Sequence, residues 1–251
     1  MITRRNLLVG TGATLLVGTG ATLLAGCDSF TDNPALLSAE DAHLFLQRSI
    51  TGRAALARQF RPEQRSPIFR VNGTANPNTP EYNALAANRF ADWRLRVDGL
   101  VTRPLSLSLA QIQSLPQRAQ ITRHDCVEGW SAIGKWQGPR LETVLQLAGI
   151  RDTARYIVFH CADRFGGTPY YESIDLIDAF HPQTLLAWTL NDAYLSVGHG
   201  APLRLRVERQ LGYKQAKYIM RIEAVASLAA VGAGKGGYWE DSNGYEWYAG
   251  I

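Results

Sequence analysis

Residues 123–138 read RHDCVEGWSAIGKWQG, and the cysteine in this stretch is the densest chemical signal of the chain. Arg123 and His124 precede Cys126 and would favour its thiolate through positive charge, which suits a nucleophile or a ligand for a soft metal. A small buried thiol without a chemical role explains the cysteine equally well. Cys126 taken alone therefore leaves a metal ligand, a nucleophile and a core residue open.

A second segment begins HGAPLRL at residues 199–205 and ends GYKQAK at residues 212–217. Glycines allow backbone N–H groups to approach an anion, and Arg204 and Lys217 supply charge and directed donors. The segment therefore predicts a cradle for a phosphate or pyrophosphate group. Taken alone, it is better explained as an ordinary basic strand face.

Strand and helix patterns are mixed along the rest of the chain, without a regular alternation of the two. Residues 93–97 alternate apolar and basic side chains, and the turn signal at Asp98-Gly99 predicts a hairpin that returns through residues 100–101. Residues 61–83 are rich in Pro, Asn and Gly and predict a long loop. Helices are predicted at 108–115 and 141–148, and strands at 156–159, 203–207 and 218–225. The fold class is therefore α+β, with a mixed, β-rich core and peripheral helices.

The composition excludes several classes of protein. The chain has 251 residues, of which 46% are hydrophobic and 19% charged, and this is a globular composition. The net charge of +4 is too small to argue for nucleic acid. Three cysteines cannot close a disulfide framework or hold a four-cysteine iron–sulfur cluster, and the sequence lacks a C-x-x-C-H motif for covalent haem. Redox chemistry here would need a cofactor held by few thiolates.

The N-terminus predicts an export signal. Arg4-Arg5 stands before an apolar stretch that contains VGTGATLL twice, at residues 9–24, and that ends in Leu-Ala-Gly-Cys at Cys27. We expect residues 1–26 to be a signal of the twin-arginine and lipoprotein type, and Cys27 to be the acylated first residue of a periplasmic, membrane-anchored protein. An uncleaved signal anchor is the alternative. Residues 27–68 are predicted to be a linker and a helical preface that starts at Ser38.

Several separated motifs together resemble the molybdopterin-binding domain of the sulfite oxidase family, in particular the bacterial branch that contains methionine sulfoxide reductase catalytic subunits. The motifs are Cys126–Ser131 with Trp136 and Gly138, the HGAPLRL and GYKQAK segments, and the aromatic tail from Gly237 to Tyr248. They occur in the family's order. The resemblance implies a sulfite-oxidase-type fold and a molybdopterin-binding oxidoreductase domain over residues 69–251.

The resemblance also implies roles for individual residues. Cys126 would be the single protein ligand of molybdenum in a molybdenum–molybdopterin cofactor. Cofactor contacts are implied at Asn72, Gly73, Cys161, His199, Arg204, Gln215, Ala216 and Lys217. His199 departs from relatives that carry Asn, and Cys161 stands where some relatives carry Thr, so that Cys161 is equally well explained as plain core. The loop at Asn72-Gly73 differs in length from that of the methionine sulfoxide reductases, which leaves the substrate open.

Two further parts of the sequence lie near the implied site. His124, beside the implied ligand, is expected to tune the metal or move protons, and a structural hydrogen-bond donor is the alternative. The aromatic residues of the tail are expected either to line the mouth of the pocket or to pack as a terminal lid. These residues are Tyr238, Trp239, Tyr245, Trp247 and Tyr248.

The activity implied by the resemblance is two-electron oxo-transfer on a small sulfoxide, N-oxide or sulfite. Because the sequence lacks ligands for haem and iron–sulfur clusters, we expect electrons to be exchanged with a separate partner, either a membrane cytochrome b or a periplasmic cytochrome c. A monomer is expected, because the chain ends directly after the aromatic tail and lacks the dimerisation domain of sulfite-oxidising relatives.

Three other functions are weighed against this one. A Cys/His-dependent hydrolase or transferase would use Cys126 as nucleophile and His124 or His199 as base, which explains the cysteine but not the cradle. A non-catalytic lipoprotein that has lost the metal fits poorly with a chain that retains both the cysteine and the cradle. A zinc site is disfavoured by the spacing of His124 and Cys126 and of His160 and Cys161.

Overall fold

The structure, a computed structural model, describes Gly52 and residues 55–251. The predicted signal, Cys27 and the helix start at Ser38 lie outside the described residues. Residues 55–68, the described part of the predicted helical preface, contain one 3-10 turn at Pro62–Gln64 and no other helix. Among the described residues, no helix is both long enough and apolar enough to cross a bilayer.

The described residues form five α-helices and eleven β-strands. The helices are α1 (Pro80–Ala87), α2 (Leu109–Ser114), α3 (Leu141–Ala148), α4 (Leu176–Ala179) and α5 (Tyr238–Asn243). The strands are β1 (Arg94–Gly99), β2 (Leu105–Ser108), β3 (Gln117–Asp125), β4 (Ser131–Pro139), β5 (Tyr156–Phe165), β6 (Thr168–Asp175), β7 (Leu185–Ala187), β8 (Thr189–Leu190), β9 (Ala193–Tyr194), β10 (Arg204–Arg206) and β11 (Ile219–Val225).

The strands form three sheets. The largest has the order β2-β1-β11-β5-β6, and β1 runs parallel to β11 while the other pairs are antiparallel. A four-stranded sheet has the order β3-β4-β8-β9, and β10 pairs with β7. The main core lies on the five-stranded sheet, where Trp93, Leu95, Phe159 and Ile222 are fully buried. The few helices pack around this sheet-rich core, as the sequence predicted.

The local signals for α2 and α3 are confirmed. Ser108 caps α2, because its hydroxyl accepts the N–H of Gln111 at 3.2 Å while the Gln111 side chain accepts the N–H of Ser108 at 2.8 Å. α3 buries Leu141, Val144, Leu145 and Ala148, which recur at helical spacing. It ends at Gly149, whose φ of 68° is readily adopted only by glycine.

The structure contains the predicted hairpin, but the prediction that residues 100–101 form its return strand was wrong. β1 is followed by a connection and returns as β2, with Val97 opposite Leu105. Leu100 does not turn back onto β1, because its N–H donates to Ala224 O at 2.8 Å, and Val101 bridges to Ile150. The predicted loop at 61–83 ends earlier than expected, since Thr79 caps α1 by accepting the N–H of Tyr82.

Candidate active site

A cavity of about 160 Å³ lies where segments from distant parts of the chain meet. Its lining residues come from the loop before α1, the turn after β3, the strands β5 and β6, the segment before β11 and the C-terminal tail. They are Asn72, Gly73, Thr74, Cys126, Val127, Glu128, Asp163, Phe165, Tyr170, Gly212, Tyr213, Gln215, Ala216, Lys217, Trp239 and Tyr245. The structure therefore brings together six of the residues predicted from sequence: Asn72, Gly73, Cys126, Gln215, Ala216 and Lys217.

Cys126 sits in a tight turn between β3 and β4. Its N–H donates to Trp130 O at 2.9 Å, and its carbonyl accepts the N–H of Gly129, whose φ is 84°. This turn brings the cysteine to the cavity while leaving it only 8% exposed. Burial raises the pKa of the thiol, and the nearby charge of Glu128 adds to the rise. The thiol is therefore protonated at neutral pH unless a cation at the cavity stabilises its thiolate.

The expectation that Arg123 and His124 favour the thiolate was wrong. Arg123 points away and pairs with Asp125 at 2.8 Å. His124 is fully buried, and burial together with the charge of Arg206 holds its pKa well below the usual range. Both neighbours are therefore unable to supply positive charge to Cys126.

His124 lies outside the cavity lining and is packed as a structural group. Its Nδ1 accepts from Arg206 Nη1 at 3.0 Å, and its ring centroid lies 5.5 Å from that of Trp130. Gly212 packs directly on the ring, since a Cβ there would lie 2.6 Å from His124 Cε1. This packing favours the structural alternative for His124, and a role in moving protons stays a prediction.

Lys217 closes one side of the cavity. Its Nζ donates to Asn72 O at 2.7 Å, to Thr74 O at 2.6 Å and to Gly198 O at 2.9 Å. Burial and the charge of Arg204 lower the pKa of Lys217 to about 7. One ammonium group therefore ties the loop before α1 to Gly198, the residue that precedes the HGAPLRL segment, and places a titrating cation in the cavity wall.

Arg204 and His199 stand behind Lys217 and outside the cavity lining. Arg204 Nη1 donates to His199 O at 3.0 Å, and its guanidinium lies 4.9 Å from the ring centroid of Trp136. His199 donates from Nε2 to Phe69 O at 3.0 Å and accepts from Ser196 Oγ at Nδ1. Because both nitrogens of this ring are engaged away from Cys126, His199 is not placed as the base of a cysteine nucleophile.

The alternative explanation of the segment at residues 199–217 as an ordinary basic strand face was wrong. Arg204 and Arg206 are 1% and 0% exposed. Arg206 pairs with Glu208 at 2.7 Å, and burial lowers the pKa of Arg204 to about 9. Within the part of the chain that the structure describes, Arg204 Nε has no hydrogen-bond partner. Buried cations of this kind need an anion, which supports the predicted cradle.

Asp163 is a cavity residue that the sequence did not reveal. It is 3% exposed, and its Oδ1 has no hydrogen-bond partner among the described residues. Burial raises its pKa to about 6, against the opposing influence of a hydrogen bond from Thr74 and of Lys217. An acidic residue four positions after the apolar run Tyr156–Phe159 of the same strand was the available signal.

Aromatic side chains form the remaining wall. Phe165, Tyr170 and Tyr213 were not predicted, whereas Trp239 and Tyr245 belong to the tail that was expected to line the mouth or pack as a lid. Both alternatives for the tail occur. Trp239 and Tyr245 line the cavity, while Trp247 packs edge-on against Tyr156 and donates to Ser173 Oγ at 2.8 Å.

Cys161 lies outside the cavity lining. Its side chain packs against the main core, and its Sγ is 3.9 Å from Phe159 O. Burial raises the pKa of this thiol well above the usual range. The structure therefore favours plain core packing over contact with a cofactor.

A family model described as the oxidoreductase molybdopterin binding domain matches residues 82–229. The chain belongs to this family. The chain is 40% identical over 197 residues to the putative protein-methionine-sulfoxide reductase subunit YedZ1 of Azospira oryzae, a match that covers 76% of this chain and 70% of that protein. It is 32% identical over 144 residues to the protein-methionine-sulfoxide reductase catalytic subunit MsrP of Campylobacter jejuni, covering 53% and 48% of the two chains.

A solved structure supports the fold. The crystal structure of the sulfane dehydrogenase SoxCD from Paracoccus pantotrophus matches with a TM-score of 0.50 and 20% identity, over 55% of this chain and 39% of that chain. At this identity the match shows the fold alone. The predicted sulfite-oxidase-type α+β fold is confirmed, and so is the assignment of the chain to a family of molybdopterin oxidoreductases.

The donor set of the cavity fits the molybdenum–molybdopterin cofactor of the family. The Cys126 thiol is a soft donor suited to molybdenum, and a bound cation removes the cost of ionising it. Lys217 and Arg204 match the anionic tail of the pterin, while the unpaired Asp163 Oδ1 matches a ligand N–H donor. When bound, the cofactor supplies two-electron redox chemistry coupled to transfer of an oxygen atom.

Proposed function

We propose that the chain is the catalytic part of a sulfoxide reductase whose substrate class is methionine sulfoxide. The observation that carries the proposal is one cavity lined by the buried Cys126, by the cation Lys217 and by an aromatic wall, with the buried Arg204 behind Lys217. Aromatic rings make favourable contacts with methionine sulfur. Two relatives that are named as protein-methionine-sulfoxide reductase subunits support the same substrate class.

The wall presents its rings to the cavity. Tyr170 donates its hydroxyl proton to Tyr213 O at 2.8 Å, and Tyr213 donates to Glu246 O at 2.6 Å. Because these two hydroxyl donors are engaged inside the protein, the rings of Tyr170 and Tyr213 contribute shape and polarisability to the cavity rather than hydroxyl donors. Asp163, whose pKa is about 6, is largely ionised at neutral pH, and we assign its unpartnered Oδ1 to accept a hydrogen bond from a bound ligand.

The reaction requires electrons from outside the chain. Reduction of a sulfoxide consumes two electrons and two protons and releases a thioether and water. We propose a membrane cytochrome b or a periplasmic cytochrome c as the electron donor. We further propose that the protein is a periplasmic monomer, anchored through an acylated Cys27. Mass spectrometry of the exported protein checks the anchor, and intact signal residues on the mature chain would refute it.

The test of the function compares the wild type with Cys126→Ser and with Cys161→Ser, a matched substitution of the other described cysteine. Molybdenum and pterin are quantified on each sample, and turnover of methionine sulfoxide, trimethylamine N-oxide and sulfite is measured with dye donors and acceptors. We expect stoichiometric molybdenum and sulfoxide turnover in the wild type and in Cys161→Ser, and loss of both in Cys126→Ser.

Two results would overturn the proposal. Protein made in a cofactor-competent host that contains no molybdenum would remove the assigned chemistry. A wild type that oxidises sulfite, or reduces N-oxides, more efficiently than it reduces methionine sulfoxide would refute the assigned substrate class.

A further inference from the structure

Three buried charges form a cluster behind the aromatic wall. Lys214 Nζ contacts Glu172 Oε1 at 2.5 Å and Glu240 Oε1 at 2.6 Å. The side chain of each is at most 1% exposed. Lys214 belongs to the GYKQAK segment but precedes the three positions implied for cofactor contact. We refer to Lys214, Glu172 and Glu240 as the buried charge cluster.

Each member of the cluster lies within two residues of a residue of the wall. Lys214 directly follows Tyr213, and Glu240 directly follows Trp239 in α5. Glu172 lies two residues after Tyr170 in β6, so both side chains project from the same face of the strand. One ammonium group therefore joins the three elements that carry Tyr170, Tyr213 and Trp239.

The wall residues also contact each other. The ring centroids of Tyr213 and Tyr245 are 5.0 Å apart, and those of Trp239 and Tyr245 are 5.9 Å apart in a stacked arrangement. The N–H of Tyr245 donates to Trp239 O. A shift of α5 or of the segment at Lys214 would therefore move several rings together.

The charge balance makes the cluster sensitive to the loss of its cation. Two carboxylates face one ammonium group, and burial raises the pKa of Glu172 well above its usual range, with Glu240 adding to the rise and Lys214 opposing it. The cluster therefore carries one more carboxyl group than ammonium group. Removing Lys214 would leave two buried acids without a cation, and one element would have to move to hydrate them.

We propose that Lys214, Glu172 and Glu240 are positioning residues that hold the aromatic wall in the geometry that binds the sulfoxide substrate. The inference rests on the proposed function, because it assigns the wall to that substrate. The cluster lies outside the cavity lining, so its effect is exerted through Tyr170, Tyr213 and Trp239. The implied cofactor contacts in the lining, at Cys126, Lys217 and Gln215-Ala216, do not include a member of the cluster.

The first experiment uses Lys214→Met, with Lys235→Met as the matched change at an exposed lysine. We expect Lys214→Met to keep stoichiometric molybdenum, to raise the KM for methionine sulfoxide about tenfold or more, and to change kcat by less than about threefold. The near-UV circular dichroism of the aromatic residues should change as well. Lys235→Met should match the wild type in all four measurements.

A double-mutant cycle tests whether the cluster acts through the wall. If Lys214 acts through Trp239, the addition of Lys214→Met to Trp239→Ala should raise KM by less than about twofold. Fully additive effects on KM would overturn the inference, and so would loss of molybdenum from Lys214→Met with an unchanged KM in the molecules that retain the metal.

A second pair of variants covers the case in which Lys214→Met does not fold. Glu240→Gln keeps an acceptor oxygen for Lys214 and leaves a balanced pair with Glu172, whereas Glu240→Ala removes the contact. We expect the KM of Glu240→Gln to stay within about threefold of the wild-type KM, and the KM of Glu240→Ala to rise by more than that. Equal KM values in the two variants would refute the positioning role.

Failure of the proposed function can be told apart from failure of this inference. A wild type with molybdenum but no sulfoxide turnover would refute the proposed function. In that case the near-UV spectra of Glu240→Gln and Glu240→Ala still report on the wall, and identical spectra would show that the cluster does not position it.

Discussion

The carboxyl group of Asp163 is buried in the cavity wall, and this burial makes its ionisation less favourable. The pKa of about 6 in the folded protein lies above the ordinary value of 3.8. For an acid whose pKa is raised by folding, the stabilising contribution is fully present below the unfolded-state pKa and is lost as the pH rises through the folded-state pKa. The stabilising contribution of Asp163 is therefore lost between pH 3.8 and about 6, and we refer to this pH range as the window.

We expect Asp163→Asn to stabilise the cofactor-free protein at pH values above this window, by at most about 3 kcal/mol, because the amide avoids the burial of a charge. The gain should shrink towards the acidic end of the window. Urea unfolding above and below the window measures it. Asp152→Asn, the same change at an exposed aspartate, is the control. A gain of equal size at both pH values would contradict this explanation.

Gly212 allows the segment before β11 to lie on His124. A Cβ at this position would lie 2.6 Å from two atoms of the imidazole ring and 3.2 Å from Asp125 O. We expect Gly212→Ala to destabilise the protein by about 1–3 kcal/mol and to lower its molybdenum content, because the ring cannot move without disturbing the turn at Cys126. Urea unfolding and metal analysis measure the two effects.

A second substitution that removes the His124 ring provides the control for Gly212→Ala, because it removes the clash with the added methyl group. In a His124→Ala background the added methyl group has space, so the two changes should be less than additive in free energy of unfolding. Additive effects would show that Gly212 matters for a reason other than contact with His124.

Local motifs singled out Cys126 and Lys217, because each lies in a short run of recognisable chemistry, whereas Asn72-Gly73 was implied by the resemblance to the family. The charge environment of Cys126 was not predictable in the same way. Neighbours along a strand point to opposite faces, and β3 sends His124 into the core while Arg123 faces outward. Asp163 was missed because its burial depends on partners from other segments.

At the scale of the element, the N-terminal cap of α2 can be tested by substitution, since the helix start that the sequence predicted at Ser108 is confirmed. Ser108 and Gln111 satisfy each other's backbone N–H groups. We expect Ser108→Ala to cost about 1 kcal/mol in free energy of unfolding. Ser106→Ala, at an exposed position of the neighbouring β2, should cost less and serves as the control in urea unfolding.

The return strand of the first hairpin shows where element-level reasoning fails. The turn signal at Asp98-Gly99 favoured immediate reversal, and nothing near it in sequence indicated that β11 pairs with β1. Leu100 contacts β11 instead of reversing, so the chain needs a longer connection before β2 begins. Pairing between distant strands overrides a local turn preference, and it is invisible to local patterns.

At the scale of the molecule, the cavity draws its lining from segments that span residues 72–245. A ligand that binds this assembled site, and not the unfolded chain, stabilises the whole fold. We expect the melting temperature of cofactor-loaded protein to exceed that of protein from a host without the cofactor by about 5 °C or more. Calorimetry of the two preparations measures it, and equal melting temperatures would indicate that the cofactor contributes little to folding stability.

The class of fold was predictable because helix caps and strand alternation are encoded in short stretches of sequence, and because the order of the motifs can be read along the chain. Sheet order was not, since β11 enters between β1 and β5 from the far end of the described chain. The wall of the cavity depends on this order, because it places the end of β5 beside the segment that leads into β11.

The insertion of β11 between β1 and β5 has a consequence for how the protein is made. A ribosome releases β1 and β5 well before it has synthesised residues 219–225, the strand that both of them flank. Until then each of these strands presents an open edge, which is prone to pairing with other chains. The sheet therefore closes only after residues 219–225 have been synthesised, so both edges stay open throughout the synthesis of residues 166–218.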